Sequence, residues 1–95
     1  MNKKDILLKK IDKVINELDE LINVKNKSIE CFSSIEQLRL FRNKFLSIMD
    51  EISNGSIPPK DERNLGIARL VADQWPFDFY LSEWIIEAEE IYKEI

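Results

Sequence analysis

The residues best equipped for chemistry in this chain are carboxylates. Glu83, Glu87, Glu90 and Glu94 recur at steps of four, three and four, which lays them along one stripe of a helix. Carboxylate pairs at that spacing suit general acid–base catalysis or the holding of two metal ions inside a helical bundle. Di-metal bundles complete their sites with a Glu-x-x-His element, and this chain has no histidine. The same lack removes the commonest general base and the commonest zinc ligand. A single cysteine, Cys31, builds neither a thiolate cage nor an intramolecular disulfide, and its apolar neighbours mark it as a small buried hydrophobe. The two glycines, Gly55 and Gly66, are too far apart to form a phosphate-cradling loop. No catalytic residue, metal ligand or cofactor is assigned, and the chain is expected not to be an enzyme.

The same residues read better as a binding surface. Like charges at i,i+3 and i,i+4 weaken an isolated helix, and only Lys93 interrupts this run. The stripe is then either a solvated face or a docking face for a basic partner. Just before it lies a knot of aromatics: Trp75, Phe77, Phe79, Tyr80 and Trp84. At 3.6 residues per turn Phe77 and Tyr80 point differently from Leu81 and Trp84, so not all of the knot faces inward. Exposed aromatics rimmed by Asp73, Asp78 and Glu83 have the composition of an interface hot spot. The partner-binding set expected from this pattern is Asp73, Trp75, Phe77, Asp78, Tyr80, Glu83 and Glu87. The competing reading is that the knot closes one end of the bundle.

Charge narrows the kind of partner. The net charge is −4, but residues 1–60 carry 11 basic and 9 acidic side chains, whereas residues 61–95 carry 3 and 9. An acidic C-terminal third argues against nucleic acid, whose phosphates need Lys and Arg. It suits a basic protein, because complementary fields speed encounter and reject wrong partners.

These side chains must be positioned by helices. Low Gly and Pro counts and a hydrophobic fraction of 44% describe one globular, all-α domain over residues 1–95. The periodicity predicts an antiparallel bundle of four helices, at about 4–23, 29–53, 60–75 and 78–94. Leu7, Leu8, Ile11, Val14, Ile15, Leu18, Leu21 and Ile22 stripe the first, too short a seam to stand alone. A homodimer paired through this stripe is one way of covering it. Helix 2 begins either at Ser28 or at Ser33-Ser34, where Glu36 and Gln37 sit at capping-box spacing. Ile35, Leu38, Phe41, Phe45, Ile48, Met49 and Ile52 trace its core face, Arg39, Arg42 and Lys44 a basic edge. Asn54-Gly55 ends it and Pro58-Pro59 forces an extended link. Helix 3 contains Gly66, at about 1 kcal/mol against Ala, which close packing of a neighbour is expected to offset. Pro76 stops it, and Asp78 is the expected N-cap of helix 4. No apolar run is long enough to span a membrane, and the basic start lacks a continuous apolar stretch, so a cytoplasmic location is expected.

Two stretches resemble the small bacterial immunity proteins, in particular those that neutralise secreted NAD(P)-degrading toxins. Ser34-Ile35-Glu36-Gln37-Leu38 with Phe41 and Leu46 resembles that family's second-helix pattern. Asn64-Leu65-Gly66-Ile67-Ala68 is similar to its Leu-Gly element, which precedes an acidic, proline-containing break and a final helix. The resemblance implies a stoichiometric inhibitor that covers its toxin's active site and does no chemistry itself. The alternative is a non-catalytic helical adaptor or self-associating scaffold module.

Overall fold

An amphipathic stripe buries itself only against other elements, and here it does so within one chain. The computed structural model describes residues 2–24, 34–63, 65–76 and 79–95. Among the described residues there are four α-helices and no strand: α1 Lys3–Val24, α2 Ile35–Asn54, α3 Ile67–Gln74 and α4 Tyr80–Glu94, with a 3₁₀ turn at Lys60–Glu62. The all-α bundle expected from the periodicity is what forms. Cross-links give the directions. Lys3 meets Glu94 and Lys10 meets Glu87, so α1 and α4 are antiparallel. Ile67 meets Glu89 while Pro76 meets Ser82, so α3 and α4 are antiparallel as well.

Leu7, Ile11, Val14 and Leu18 of α1 are fully buried, against Leu38, Phe41, Phe45 and Ile48 of α2 and Leu81, Ile85, Ala88 and Tyr92 of α4. Each such side chain contributes about 1.5–3 kcal/mol over its exposed state. Most of the α1 stripe is therefore covered within the chain, with Leu8 and Ile22 half-buried.

The helix ends depart from expectation in three places. Ser34 caps α2, its hydroxyl accepting from the Gln37 N–H at 3.1 Å, so the second of the two possible starts is used. Ser28 and the remainder of the expected 29–33 portion lie outside the described residues. Gly55 closes α2 at φ +70°, as the Asn-Gly signal requires. The expected third helix is broken in two. After the 3₁₀ turn the chain reaches Gly66 at φ +74°, which is the N-cap of α3 and not a helix-interior residue. A Cβ there would meet nothing within 4 Å, so the glycine answers to its left-handed backbone and not to a closely packed neighbour. Trp75 is extended, as the residue before a proline prefers. Finally, the N-cap position of α4 is Phe79, without a side-chain hydrogen bond, and Asp78 lies outside the described residues.

A helix of eight residues does not persist on propensity alone. With glycine at its cap, α3 has no side chain of its own to satisfy its first N–H groups. Glu89 of α4 does it instead. Its Oε1 accepts from the Ile67 and Ala68 N–H groups, both at 3.1 Å, and its Oε2 meets Lys93 Nζ at 3.3 Å. Glu89 is only 2% exposed. The carboxylate sits where the helix dipole is positive, a favourable place for negative charge. Arg63 returns the arrangement from the other side. It is 8% exposed, and donates through Nε to the Pro58 carbonyl at 2.7 Å and through Nη1 to the Tyr92 carbonyl, in the last turn of α4, at 3.3 Å. Thus α4 caps the start of α3, and the residues leading into α3 cap the end of α4.

Replacing Glu89 with Ala leaves buried donors unmade, so Glu89→Ala is expected to lower the unfolding free energy by about 2–3 kcal/mol. Urea unfolding followed by circular dichroism measures it, and a loss below about 0.5 kcal/mol contradicts the clamp. Gly66→Ala forces a side chain into the left-handed region and is expected to cost about 1–2 kcal/mol, with Gly66→Asn costing less.

Candidate docking face on the third and fourth helices

α4 presents two faces beside its buried stripe. One leans on α1. There Tyr80 donates its hydroxyl to a Glu17 carboxylate oxygen, Lys13 lies 4.5 Å from the centre of the Trp84 ring, Lys10 pairs with Glu87 at 2.8 Å, and Lys3 pairs with Glu94 at 3.1 Å. The acidic stripe is consequently divided. Glu87 and Glu94 are neutralised within the molecule, whereas Glu83 and Glu90 are exposed and have no ion-pair partner among the described residues. Such surface pairs add little stability, about 0–1 kcal/mol each. Their larger effect is to concentrate the uncompensated charge on the outer side of α4.

The aromatics form a ladder from core to surface. Phe41 and Trp75 are 5.9 Å apart, Trp75 and Phe79 5.8 Å, Phe79 and Tyr80 5.0 Å, and Tyr80 and Trp84 5.1 Å, the last two edge to face. All are distances at which ring pairs attract beyond their buried area. Trp75, expected in the partner-binding set, is 4% exposed and belongs to the core. The proline after it turns the chain while its ring stays between Phe41 and Phe79. Tyr80, between Phe79 and Trp84, is 46% exposed and is the most exposed ring of the ladder. Asp73 and Glu83 are exposed and Glu87 is half-buried. Phe77 and Asp78 of the expected set lie outside the described residues.

Between α3 and α4 runs an open groove of about 400 Å³, lined by Val71, Ala72, Ser82, Glu83, Ile86 and Glu87. Its apolar floor and acidic mouth bring two of the expected residues, Glu83 and Glu87, to one place. The Ser82 hydroxyl is turned away from solvent and donates to the Pro76 carbonyl at 3.2 Å. Ile86 and Ser82 were not among the residues expected to bind. Their signal is faint: Ile86 flanks the core stripe of α4 without falling on it. The basic edge of α2 does not reach this face. Arg42 pairs with Asp19 of α1, Lys44 points toward the Leu65 carbonyl at 3.5 Å, and Arg39 is exposed. Among the described residues no three His, Cys, Asp or Glu side chains gather as a metal site would need, and no helix is long and apolar enough to cross a membrane.

Two tyrosines have hydroxyls held by carboxylates. Tyr80 is pushed up to about 12, first by its hydrogen bond to Glu17 and then by burial. Tyr92 is also pushed up to about 12, first by burial and then by its 2.7 Å bond to Glu51, with Arg63 opposing. No protein-family model and no curated protein matches this chain.

A tyrosine that holds its proton more tightly when folded stabilises the fold below its unfolded value and stops doing so as pH rises through the folded one. Stability is therefore expected to fall between pH 10 and about 12. Denaturant unfolding at stepped pH, read beside phenolate absorbance, checks this. Tyr92→Phe should flatten part of the decline, and an equal decline in that variant contradicts the buried Tyr92 hydroxyl as one of its sources.

Proposed function

We propose that this chain is a cytoplasmic, non-catalytic binding protein of the immunity type, which inhibits a cognate secreted bacterial toxin by stoichiometric capture. One observation carries the reading: an apolar groove between α3 and α4 bordered by exposed carboxylates that have no ion-pair partner among the described residues, on the most acidic third of the chain, with Tyr80 exposed on the neighbouring face of α4. Aromatic and aliphatic anchors supply affinity in such interfaces, and an uncompensated rim supplies rate and specificity. The histidine-free sequence and the resemblance at Ser34–Leu38 and Asn64–Ala68 support the same reading. An NAD(P)-degrading toxin is the partner that the resemblance implies.

A helical adaptor is the second reading, and the same face would serve it. What separates the two is inhibition. Tagged protein is incubated with the lysate and secreted fraction of its source cells, and the recovered partner is purified and assayed. The immunity reading expects a one-to-one complex in which the partner's toxic activity is abolished, weakened roughly tenfold or more by Tyr80→Ala or Glu83→Lys. A one-to-one partner whose activity is untouched moves the assignment to an adaptor.

A further inference from the structure

The chemistry of the groove states what kind of segment fills it. Small-molecule sites converge a few placed polar groups on their ligand. Here the lining hydroxyl, Ser82, already donates to Pro76, and the other polar lining groups are the carboxylates of Glu83 and Glu87 at the mouth. Glu87 pairs with Lys10, while Glu83, with Asp73 on α3 and Glu90 two turns along α4, faces solvent. Nothing there specifies a hydrogen-bonded ligand. What is specified is apolar insertion over Ala72 and Ile86, above the buried Val71, with positive charge on either side. An amphipathic helix laid along a groove meets that description, because its i, i+3, i+4 and i+7 anchors enter while its flanks stay wet. The uneven charge of the chain selects the sign of those flanks: residues 61–95 carry nine acidic side chains against three basic ones.

We infer that the α3–α4 groove takes a basic amphipathic helix of the partner, apolar anchors against Ala72 and Ile86, and Lys or Arg flanks toward Asp73, Glu83 and Glu90. This rests on the binding-protein reading and deepens it. Inhibition would then proceed by seizing a helix of the toxin, and the active site is blocked only if that helix borders it.

The test uses the intact, isotope-labelled protein and three synthetic peptides of equal length. One has leucines at helical i, i+3, i+4 and i+7 positions with lysines between. The second has the same leucines with glutamates. The third is the lysine peptide in scrambled order. Amide and methyl resonances of Val71, Ala72, Ser82 and Ile86 are expected to shift with the first peptide alone. Its affinity should fall at least tenfold in Glu83→Lys, an exposed position, and in Ile86→Asp, provided each variant keeps its helical spectrum. Equal shifts with the scrambled peptide, or shifts spread over other faces, overturn the inference. So do groove resonances that move with protein concentration alone, which would seat a second copy there. The broader reading is decided elsewhere. A one-to-one toxin complex that survives Ile86→Asp removes only the groove, whereas failure to form any inhibitory complex removes the immunity reading.

Discussion

The Glu89 carboxylate, buried and shared between two N–H groups at the start of α3, is the contact on which this architecture turns. A buried carboxylate without partners would be expelled or neutralised, and buried helix-start donors without acceptors are equally unfavourable. Each cancels the other's penalty only if α3 and α4 lie where they do. The contact therefore specifies a geometry as much as it stabilises one, and the α3–α4 groove lies between the two helices that it joins. Arg63 adds the converse constraint at the far end of α4, where its guanidinium also rests 6.0 Å from the Tyr92 ring.

The helices and most of the core were legible because hydrophobic spacing is a strong signal. The stripe of α1, the face of α2 and the positions Leu81, Ile85 and Ala88 fall where a 3.6 period puts them. The Gly55 end was legible too, since caps are local chemistry, whereas for the start of α2 the sequence offered Ser28 and Ser33-Ser34 alike and local chemistry did not choose between them. What spacing hides is the partner of a residue far away in the chain. Gly66 sits in a helix-like pattern, and only the carboxylate arriving from Glu89 makes it a helix start. Glu89 itself, like Ser82 seven residues earlier, lies close to the apolar stripe of α4. A charged residue in such a position is the clue that a tertiary cap is present. The acidic stripe misled in a similar way. Its four carboxylates look alike in sequence, yet α1 lysines reach two of them and leave Glu83 and Glu90 outside.

For the candidate face, the described members of the aromatic knot are divided between core and surface. Trp75 serves the core, and Tyr80 stands at the surface beside Glu17. A ladder of this kind mechanically ties an exposed ring to a close-packed interior. Tyr80 thus gives up little side-chain freedom on meeting a partner, which favours rigid aromatic anchors over flexible ones.

The ion pair between Lys3 and Glu94 has a topological consequence. Residues separated by nearly the whole chain lie side by side, within 3.1 Å at their side-chain tips. Bringing α1 against α4 therefore closes the largest loop available, with an entropic cost that grows only slowly with length but bears on the rate of assembly. A short bridge joining these two positions, with new ends opened in the Ser56–Pro59 link, would turn the most distant pairing into a local one. The helix-to-helix packing would be kept, with only the contacts of Ile57 and the Pro58 carbonyl in the opened link at stake, while the order in which the helices meet is exchanged.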